Sequence, residues 1–160
     1  DLRAITDEAV DRVYDVAKSQ QVRVSVEGLD EPPLIAGDSS LLMRAIANLL
    51  DNSIRYSPKS GVVRCSIRLK ERSEAATCDY LECTVADQGP GIPPERLAAL
   101  FQRFGPNDPS KELSAGLGLA FVKRAVDLMG GSITLESATG GTTFVVAFPV
   151  AVSPESIDPA

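Results

Sequence analysis

The chain of 160 residues contains no histidine and no tryptophan, and it has only three cysteines. Without histidine, the chain cannot provide a Ser-His-Asp or Cys-His catalytic arrangement or a histidine-ligated metal site. Cys65, Cys78 and Cys83 are an odd set and lack the CxxC spacing of zinc and redox sites. We therefore expect free, reduced thiols in a cytosolic protein.

Long apolar runs and clusters of basic residues are missing as well. No run approaches the roughly 20 apolar residues that a membrane-spanning helix needs. The formal net charge is −6 and the 16 Lys and Arg residues are dispersed, so a nucleic-acid backbone would be repelled. What is present, 44% apolar residues, is sufficient for one globular domain. We expect it to cover residues 1–149, followed by a flexible tail over residues 150–160, which have two prolines and no core pattern.

Helical spacing of apolar residues predicts several amphipathic helices. The predicted helices are one over residues 5–18 capped by Thr6, a central helix from Ser39 to Tyr56 that follows Asp38 and is capped by an Asp or Ser side chain, a short helix beginning at Pro93 and Pro94, and one over residues 117–129 that ends at Gly130 and Gly131.

Alternating apolar and polar residues predict the strands. The predicted strands lie around residues 22–26, 63–69, 81–85, 133–135 and 144–148, with a turn at Gly140 and Gly141. Consecutive strands joined by short loops favour antiparallel pairing, and the amphipathic helices need a surface to cover. The order of elements predicts a two-layer α/β sandwich, in which a mixed, mainly antiparallel sheet packs against about three helices.

The central helix carries two asparagines at the border of its apolar face. At roughly 100° per residue, Asn48 and Asn52 lie about 40° apart, and Arg55 and Tyr56 lie on the same edge. Half-buried amides need hydrogen-bond partners, and neighbouring loop backbone is one possible source. Alternatively, the amide oxygens hold a hard cation such as Mg²⁺, which takes oxygen ligands. The helix by itself leaves both interpretations open.

The segment D-Q-G-P-G-I, residues 87–92, directly follows a predicted strand. Gly89 and Gly91 allow a sharp turn and the close approach of a ligand, while Asp87 presents a carboxylate at the strand end. An ordinary loop is the alternative, and the motif alone does not exclude it.

The segment A-G-L-G-L, residues 115–119, places Gly116 and Gly118 at the start of a helix. A glycine-rich helix N-terminus presents free N–H groups and the positive end of the helix dipole, which suits phosphate. The segment is neither a Rossmann motif nor a P-loop, because a polar loop precedes it and no G-K-[ST] occurs. Helix packing alone would explain one glycine more easily than two.

The order of these motifs resembles the N, G1, F and G2 boxes of bacterial sensor histidine kinases. In this sequence the boxes are N-x-x-x-N on a helix, D-x-G-x-G-I after a strand, F-x-x-F, and G-L-G-L opening a helix. The similarity extends from Asp1 to Pro149. By this resemblance the chain is identified as the catalytic, ATP-binding domain of such a kinase, with the Bergerat (GHKL) sandwich fold.

The resemblance implies roles for single residues. It makes Asn48 and Asn52 ligands of Mg²⁺, with Asn48 and Arg55 catalytic and Arg55 in contact with phosphate. Asp87 would accept the amino proton of adenine, and Tyr56 would form a wall of the adenine site. The implied ATP-binding set is Asn48, Asn52, Arg55, Tyr56, Asp87, Gly89, Gly91, Ile92, Gly116, Leu117, Gly118, Leu119 and Thr143.

Within that set, Thr143 supplies a hydroxyl to the adenine end, and the residues that shape the pocket are Gly89, Gly91 and Ile92. The residues whose backbone N–H groups lie near the phosphates are Gly116, Leu117, Gly118 and Leu119. The resemblance also implies that Phe101 and Phe104 dock on the phosphoacceptor helices. Two departures concern the phosphate end: Ser114 stands where the family's G-x-G-L-G-L has its first glycine, and the lid from Gly105 to Leu113 is short. Which of Arg103 and Lys111 reaches the phosphates stays open.

The expected reaction is transfer of the γ-phosphate of Mg-ATP to a histidine outside this chain. Phosphoryl transfer depends on positioning and charge neutralisation, so the acceptor imidazole is the only nucleophile needed. The expected partners are the protein's own dimerisation and phosphoacceptor helices and a response regulator, with no nucleic acid. The resemblance implies a homodimeric full-length protein, a monomeric isolated domain, and a cytoplasmic location in a membrane-anchored sensor kinase.

Three alternatives remain. GHKL ATPases of the gyrase, mismatch-repair and chaperone type, and anti-sigma serine kinases, carry a glutamate base four residues before the second asparagine. In this sequence that position is Asn48, an amide that cannot take a proton. The third alternative is a degenerate module that binds nucleotide or a partner and acts as a scaffold. The intact Asn52, Asp87 and Gly118 argue against it, and the missing first glycine keeps it open.

Overall fold

The computed structural model describes residues 1–71, 78–95 and 115–151, and these ranges form three helices and five strands. The helices are α1 (Leu2–Gln20), α2 (Ser39–Tyr56) and α3 (Ala115–Leu128). The strands are β1 (Arg23–Gly28), β2 (Val62–Lys70), β3 (Tyr80–Ala86), β4 (Ser132–Ala138) and β5 (Gly141–Pro149).

Helix α1 begins three residues before its predicted start. Asp1 is its N-cap, and the Asp1 carboxylate accepts hydrogen bonds from the backbone N–H groups of Arg3 and Ala4 at 2.8 and 3.1 Å. The predicted cap, Thr6, is wrong: it is buried within the helix, and its hydroxyl donates to the carbonyl of Leu2 at 2.8 Å. A threonine inside a helix commonly bonds back to the preceding turn in this way.

Helix α2 has the predicted bounds, and the side chain of Asp38 caps it by accepting from the backbone N–H of Leu41 at 2.9 Å. Helix α3 begins two residues before its predicted start, and Gly130 follows it with a φ of +67°. A glycine with positive φ is a common helix terminator. The predicted short helix is described only for Pro94 and Glu95, whose backbone is helical.

The five strands form one sheet in the order β1-β2-β3-β5-β4. The pair β1–β2 is parallel, and β2–β3, β3–β5 and β4–β5 are antiparallel. Because of this order, the end of β3, the start of β5 and the start of β2 meet at one end of the sheet. The mixed, mainly antiparallel sheet confirms the predicted fold class.

The three described helices cover one face of the sheet, with α2 packed between α1 and α3. The sheet residues buried beneath them are Val63, Cys65, Ile67, Leu81, Cys83, Val85, Phe144, Val146 and Phe148. The opposite face carries ion pairs between Arg64 and Glu27 and between Lys70 and Glu82, each at 3.2 Å. Exposed pairs of this kind contribute about 0–1 kcal/mol, so the helix-covered face supplies most of the stability.

The cysteines are free, as predicted. Cys65 and Cys83 are buried on neighbouring strands, with their sulfur atoms 3.6 Å apart. The hydrogen bond with Cys83, together with burial, raises the pKa of the Cys65 thiol. Both conditions favour the thiol over the reactive thiolate.

The described start of the segment predicted as a tail is paired with the rest of the fold. Val150 forms an isolated antiparallel bridge with Ile35, and the backbone N–H of Ala151 donates to the carbonyl of Leu34 at 2.9 Å. Residues 152–160 lie outside the described residues. None of the described helices is both long and apolar enough to cross a membrane.

Candidate functional site

Asp87 lies at the end of β3, where the backbone of β5 and of the following loop fix its carboxylate. Its Oδ1 accepts hydrogen bonds from the backbone N–H groups of Gly89 at 2.9 Å and Thr142 at 3.1 Å. The Asp87 backbone N–H donates to the carbonyl of Thr142 at 2.9 Å. Within the described residues both side-chain bonds use Oδ1, so Oδ2 remains available to a ligand.

Glycines let three backbone segments converge around this carboxylate. A Cβ atom on Gly89 would lie 2.7 Å from the carbonyl oxygen of Tyr56, at the end of α2, and one on Gly141 would overlap the carbonyl oxygen of Asp87. Gly91 has a φ of +78°, which side chains disfavour. The loop of residues 87–92 therefore packs closely against both α2 and the β4–β5 hairpin.

Two further side chains tie this loop to the sheet. The Gln88 side-chain oxygen accepts from the backbone N–H of Val62, at the start of β2, at 2.8 Å. The Ser137 hydroxyl oxygen accepts from the backbone N–H of Ile92 at 2.7 Å and lies 2.9 Å from the Thr142 hydroxyl. The loop is thus held at both ends.

Asn48 and Asn52 lie on the side of α2 that faces the start of α3. A Cβ atom on Gly118 would lie 3.8 Å from the Asn48 side-chain oxygen and 3.9 Å from the Asn52 side-chain nitrogen. Asn48 is half-buried and Asn52 is 8% exposed. The structure therefore brings the central helix and the glycine-rich helix start together at these two side chains.

The Asn52 amide suits a polar ligand. Its Nδ2 has no hydrogen-bond partner within the described residues. A buried polar group without a partner costs about 1–3 kcal/mol, and a bound ligand would remove that cost. The amide oxygens of Asn48 and Asn52 are hard donors of the type that Mg²⁺ takes. Gly118 leaves the space beside the Asn48 oxygen and the Asn52 amide nitrogen free of a side chain. The residues present fit an Mg²⁺–phosphate group.

Arg55 and Tyr56 are more exposed than their shared helix edge suggests. The Arg55 Nε donates to Asp51, one helical turn earlier, at 2.8 Å, and this hydrogen bond raises the pKa of Arg55. The bond uses only one of the several N–H donors of the guanidinium group. The Tyr56 side chain is 57% exposed. Neither the Arg55 nor the Tyr56 side chain forms a hydrogen bond with Asn48 or Asn52 in the structure.

The start of α3 offers its backbone to a ligand. The first N–H groups of a helix have no carbonyl partner within it, and in α3 they include those of residues 115–117. Gly116 and Leu117 lie in this first turn, whereas the Leu119 side chain is 6% exposed and belongs to the core. The guanidinium carbon of Arg44 lies 4.6 Å from the centre of the Phe121 ring, an additional contact between α2 and α3.

The structure places Thr142, not the predicted Thr143, on the face of β5 that lies beside Asp87. Side chains alternate between the faces of a strand, and buried Phe144 places the even-numbered residues of β5 on the helix-covered face. Thr142, 5% exposed, therefore lies on the side of Asp87, and Thr143 points to the opposite face.

The sequence interpretation missed three polar residues of this site: Gln88, Ser137 and Thr142. A signal existed for two of them. The alternation that marked Ile133 and Leu135 as inward-facing continues to position 137, and the pattern of β5 extends back to position 142. A polar side chain at an inward position needs a partner, which marks it as part of a network.

Phe101 and Phe104, predicted to dock on phosphoacceptor helices, lie outside the described residues, as does the lid from Gly105 to Leu113. Among the residues that are described, no group of three or more His, Cys, Asp or Glu side chains could hold a metal ion. A magnesium site formed by the amide oxygens of Asn48 and Asn52 uses none of these four residue types, so this absence does not bear on it.

The fold and the site define a class: an α/β sandwich that carries a backbone-fixed carboxylate at a strand end and a glycine-rich helix start beside two asparagines of the central helix. The chain belongs to the family of histidine kinase-, DNA gyrase B- and HSP90-like ATPases, whose model matches residues 37–152. The family indicated by the motifs is thereby confirmed.

Several curated relatives are sensor kinases. The chain is 36% identical over 121 residues to the probable sensor kinase SilS of Salmonella typhimurium, an alignment that covers 74% of the chain and 23% of SilS. It is 36% identical over 148 residues to the sensor histidine kinase CusS of Escherichia coli, covering 88% of the chain and 29% of CusS. The chain thus spans less than a third of the length of these relatives.

Solved structures share the fold. A structure of the mycobacterial sensor histidine kinase MprB has a TM-score of 0.72 and 31% identity, and the match covers 92% of this chain and 93% of that one. The structure of full-length ShkA has a TM-score of 0.74 at 23% identity and covers 96% of this chain and 31% of that one. At that lower identity the likeness concerns the fold alone.

Proposed function

We propose that this chain binds Mg-ATP and transfers its γ-phosphate to a histidine on a dimerisation and phosphoacceptor domain outside this chain, in two-component signalling. The observation that carries the proposal is the convergence of Asn48 and Asn52 with Gly118 at one end of the cleft. Family membership and the sensor-kinase relatives support it.

The base end of the proposed site is Asp87 with its neighbours. Two backbone N–H groups fix Oδ1, so Oδ2 is oriented to accept the amino proton of adenine. Thr142 supplies a hydroxyl beside it in place of Thr143. Gly89, Gly91 and Ile92 shape the loop, and the exposed ring of Tyr56 covers the base.

The phosphate end is formed by α2 and α3. Asn48 and Asn52 would hold Mg²⁺, which when bound neutralises phosphate charge. The free N–H groups of residues 115–117 hydrogen-bond phosphate oxygens, with the positive end of the α3 dipole behind them. Arg55 turns its unused N–H donors toward the phosphates while its own Nε stays hydrogen-bonded to Asp51. Of these residues, Asn48 and Arg55 are the proposed catalytic pair.

The nucleophile comes from another segment, since this chain contains no histidine. A neutral imidazole nitrogen already carries a lone pair, so it needs less help from a base than water or an alcohol does. This agrees with the amide at position 48, where hydrolytic relatives carry glutamate. In α2, Asp51 is the carboxylate near this position, and it is hydrogen-bonded to Arg55. Water activation is therefore disfavoured.

The proposed setting follows the sensor-kinase relatives. The partners are the protein's own phosphoacceptor helices, contacted through Phe101 and Phe104, and a response regulator. The full-length protein is a homodimer with this domain on the cytoplasmic side of a membrane-anchored kinase, and the isolated domain is a monomer. With a net charge of −6, no nucleic-acid partner is proposed.

The test is a transfer assay. The chain is mixed with Mg²⁺, γ-labelled ATP and a separately produced dimerisation and phosphoacceptor domain of a related sensor kinase, with its histidine-to-alanine variant as control. We expect label on the acceptor that is stable in base, lost in acid and absent from the control. Acid-stable label would indicate a serine kinase, phosphate release without transfer an ATPase, and ATP binding without either a scaffold.

A further inference from the structure

Ser137 is a polar residue at an inward-facing position of β4. Ile133 and Leu135 precede it on the same face, and the strand register places Ser137 directly opposite Thr142 on β5. Its side chain contacts the loop that follows Asp87 as well as the hairpin. Ser137 therefore connects two of the segments that form the base end of the site.

The hydrogen bonds of Ser137 restrict where its single proton can go. Its oxygen accepts the backbone N–H of Ile92 at 2.7 Å. The proton then has two possible acceptors: the Thr142 hydroxyl oxygen at 2.9 Å and the Gly141 carbonyl at 3.3 Å. If Ser137 donates to Thr142, the Thr142 proton must point elsewhere; if it donates to Gly141, Thr142 can donate to Ser137.

The neighbouring carboxylate makes the first arrangement useful. The backbone N–H of Thr142 donates to Asp87 Oδ1 at 3.1 Å, so the residue that carries this hydroxyl is itself bonded to the carboxylate. Adenine presents an adjacent donor and acceptor, the 6-amino group and N1. A carboxylate that accepts from the amino group and a hydroxyl that donates to N1 are complementary to this edge.

We propose that Ser137 is a positioning residue for base recognition, whose hydroxyl directs the Thr142 proton toward N1 of the bound adenine. The inference rests on the proposed nucleotide binding and adds a residue that selects the base without touching it. The 2.9 Å contact with Thr142 is made in either direction, and this direction gives up only the longer 3.3 Å bond to the Gly141 carbonyl, so a base that accepts the released Thr142 proton favours it.

The test compares three nucleotides by calorimetry: ATP, 1-deaza-ATP, in which N1 is replaced by C–H, and purine riboside triphosphate, which lacks the 6-amino group. For the unmodified chain we expect ATP to bind about tenfold more tightly than 1-deaza-ATP, the worth of one hydrogen bond. In Ser137→Ala this preference should fall below about threefold. The preference for the 6-amino group should remain, because Asp87 is unchanged.

Controls separate this role from a structural one. Ser137→Thr keeps the hydroxyl and should restore the N1 preference, and Ser132→Ala, on an outward-facing position of the same strand, should leave it unchanged. If Ser137→Ala does not fold, as judged by thermal unfolding, Ser137→Cys fills the same space with a much weaker donor and should show the same loss.

Three results would overturn the inference: an unchanged N1 preference in Ser137→Ala or Ser137→Cys, equal loss of both preferences, or no N1 preference in the unmodified chain that nevertheless binds ATP. The last result leaves ATP binding intact. Failure of the unmodified chain to bind ATP would instead refute the proposed function, together with this inference.

Discussion

Replacing Asp87 with asparagine is the sharpest perturbation of the site, because the surrounding backbone determines how the new amide must lie. The N–H groups of Gly89 and Thr142 both donate to Oδ1. In Asp87→Asn the amide oxygen must occupy that position to keep both bonds. The amide NH₂ then takes the place of Oδ2 and faces the adenine amino group, so an acceptor becomes a donor.

The expected loss of ATP affinity is large, whereas the loss of stability is small. A hydrogen bond to a charged group contributes about 1.5–3 kcal/mol, which corresponds to about 10- to 150-fold in dissociation constant. Both backbone bonds persist with a neutral acceptor, so the free energy of unfolding should fall by less than about 2 kcal/mol. Asp87→Ala, in contrast, leaves two N–H groups unpaired and should lose about 2–6 kcal/mol.

Guanine provides an independent measurement. It carries an oxygen acceptor where adenine has the amino group, so the NH₂ of Asp87→Asn can bond to GTP. The ratio of GTP to ATP dissociation constants should therefore fall at least about tenfold. Calorimetry with both nucleotides gives the ratio, and Glu82→Gln, an acid-to-amide change on the same strand, is the charge-matched control. ATP affinity within about twofold of the unmodified chain, with no change in the ratio, would refute the assigned base contact.

Two further predictions concern the other end of the cleft and the core. Gly118→Ala should leave the free energy of unfolding unchanged or raise it by up to about 1 kcal/mol, since alanine favours helix and its Cβ meets only ordinary contacts. ATP affinity should nevertheless fall about tenfold or more, because the methyl group occupies the space beside the two helix asparagines. Equal affinity of the variant and the unmodified chain in calorimetry would contradict that placement. In folded protein, Cys65 and Cys83 should react with a thiol reagent at least about 100-fold more slowly than half-buried Cys78, because burial protects them and a raised pKa keeps Cys65 protonated. Cys78→Ser should remove the fast phase of the reaction. A thiol that still reacts fast in that variant would contradict the burial of Cys65 and Cys83.

Periodicity alone predicted most of the fold because the core is built from regular patterns. The apolar stripe of α2 and the alternation of the strands correspond directly to the buried faces in the structure. The apolar stripe of α1 extends to buried Leu2, three residues before Ile5, and only the cap, set by the Asp1 carboxylate, lies outside the repeating pattern. Caps depend on single hydrogen bonds, whereas stripes repeat over several turns.

The helix edge with Asn48 and Asn52 was predicted from angular spacing, but angular spacing does not include side-chain pairing. Arg55 lies one turn after Asp51, and opposite charges at this separation commonly pair on a helix. The sequence contained this signal, and it accounts for the position of Arg55 in the structure. The approach of Gly118 to the two amides, in contrast, depends on how α2 packs against α3, which spacing within either helix does not determine.

The placement of Thr142 instead of Thr143 beside Asp87 has a physical cause that also explains Ser137. A family resemblance assigns a hydroxyl by its distance from a motif, whereas a strand assigns it by the parity of its position. The even-numbered residues of β5 face inward, as shown by Phe144, Val146 and Phe148. Of the two threonines at the start of this strand, only Thr142 has an even number and therefore faces inward. Its register partner on β4 must then also face inward, which places a serine next to it without any reference to a family. At a strand end, parity is therefore the stronger guide to which hydroxyl reaches a site.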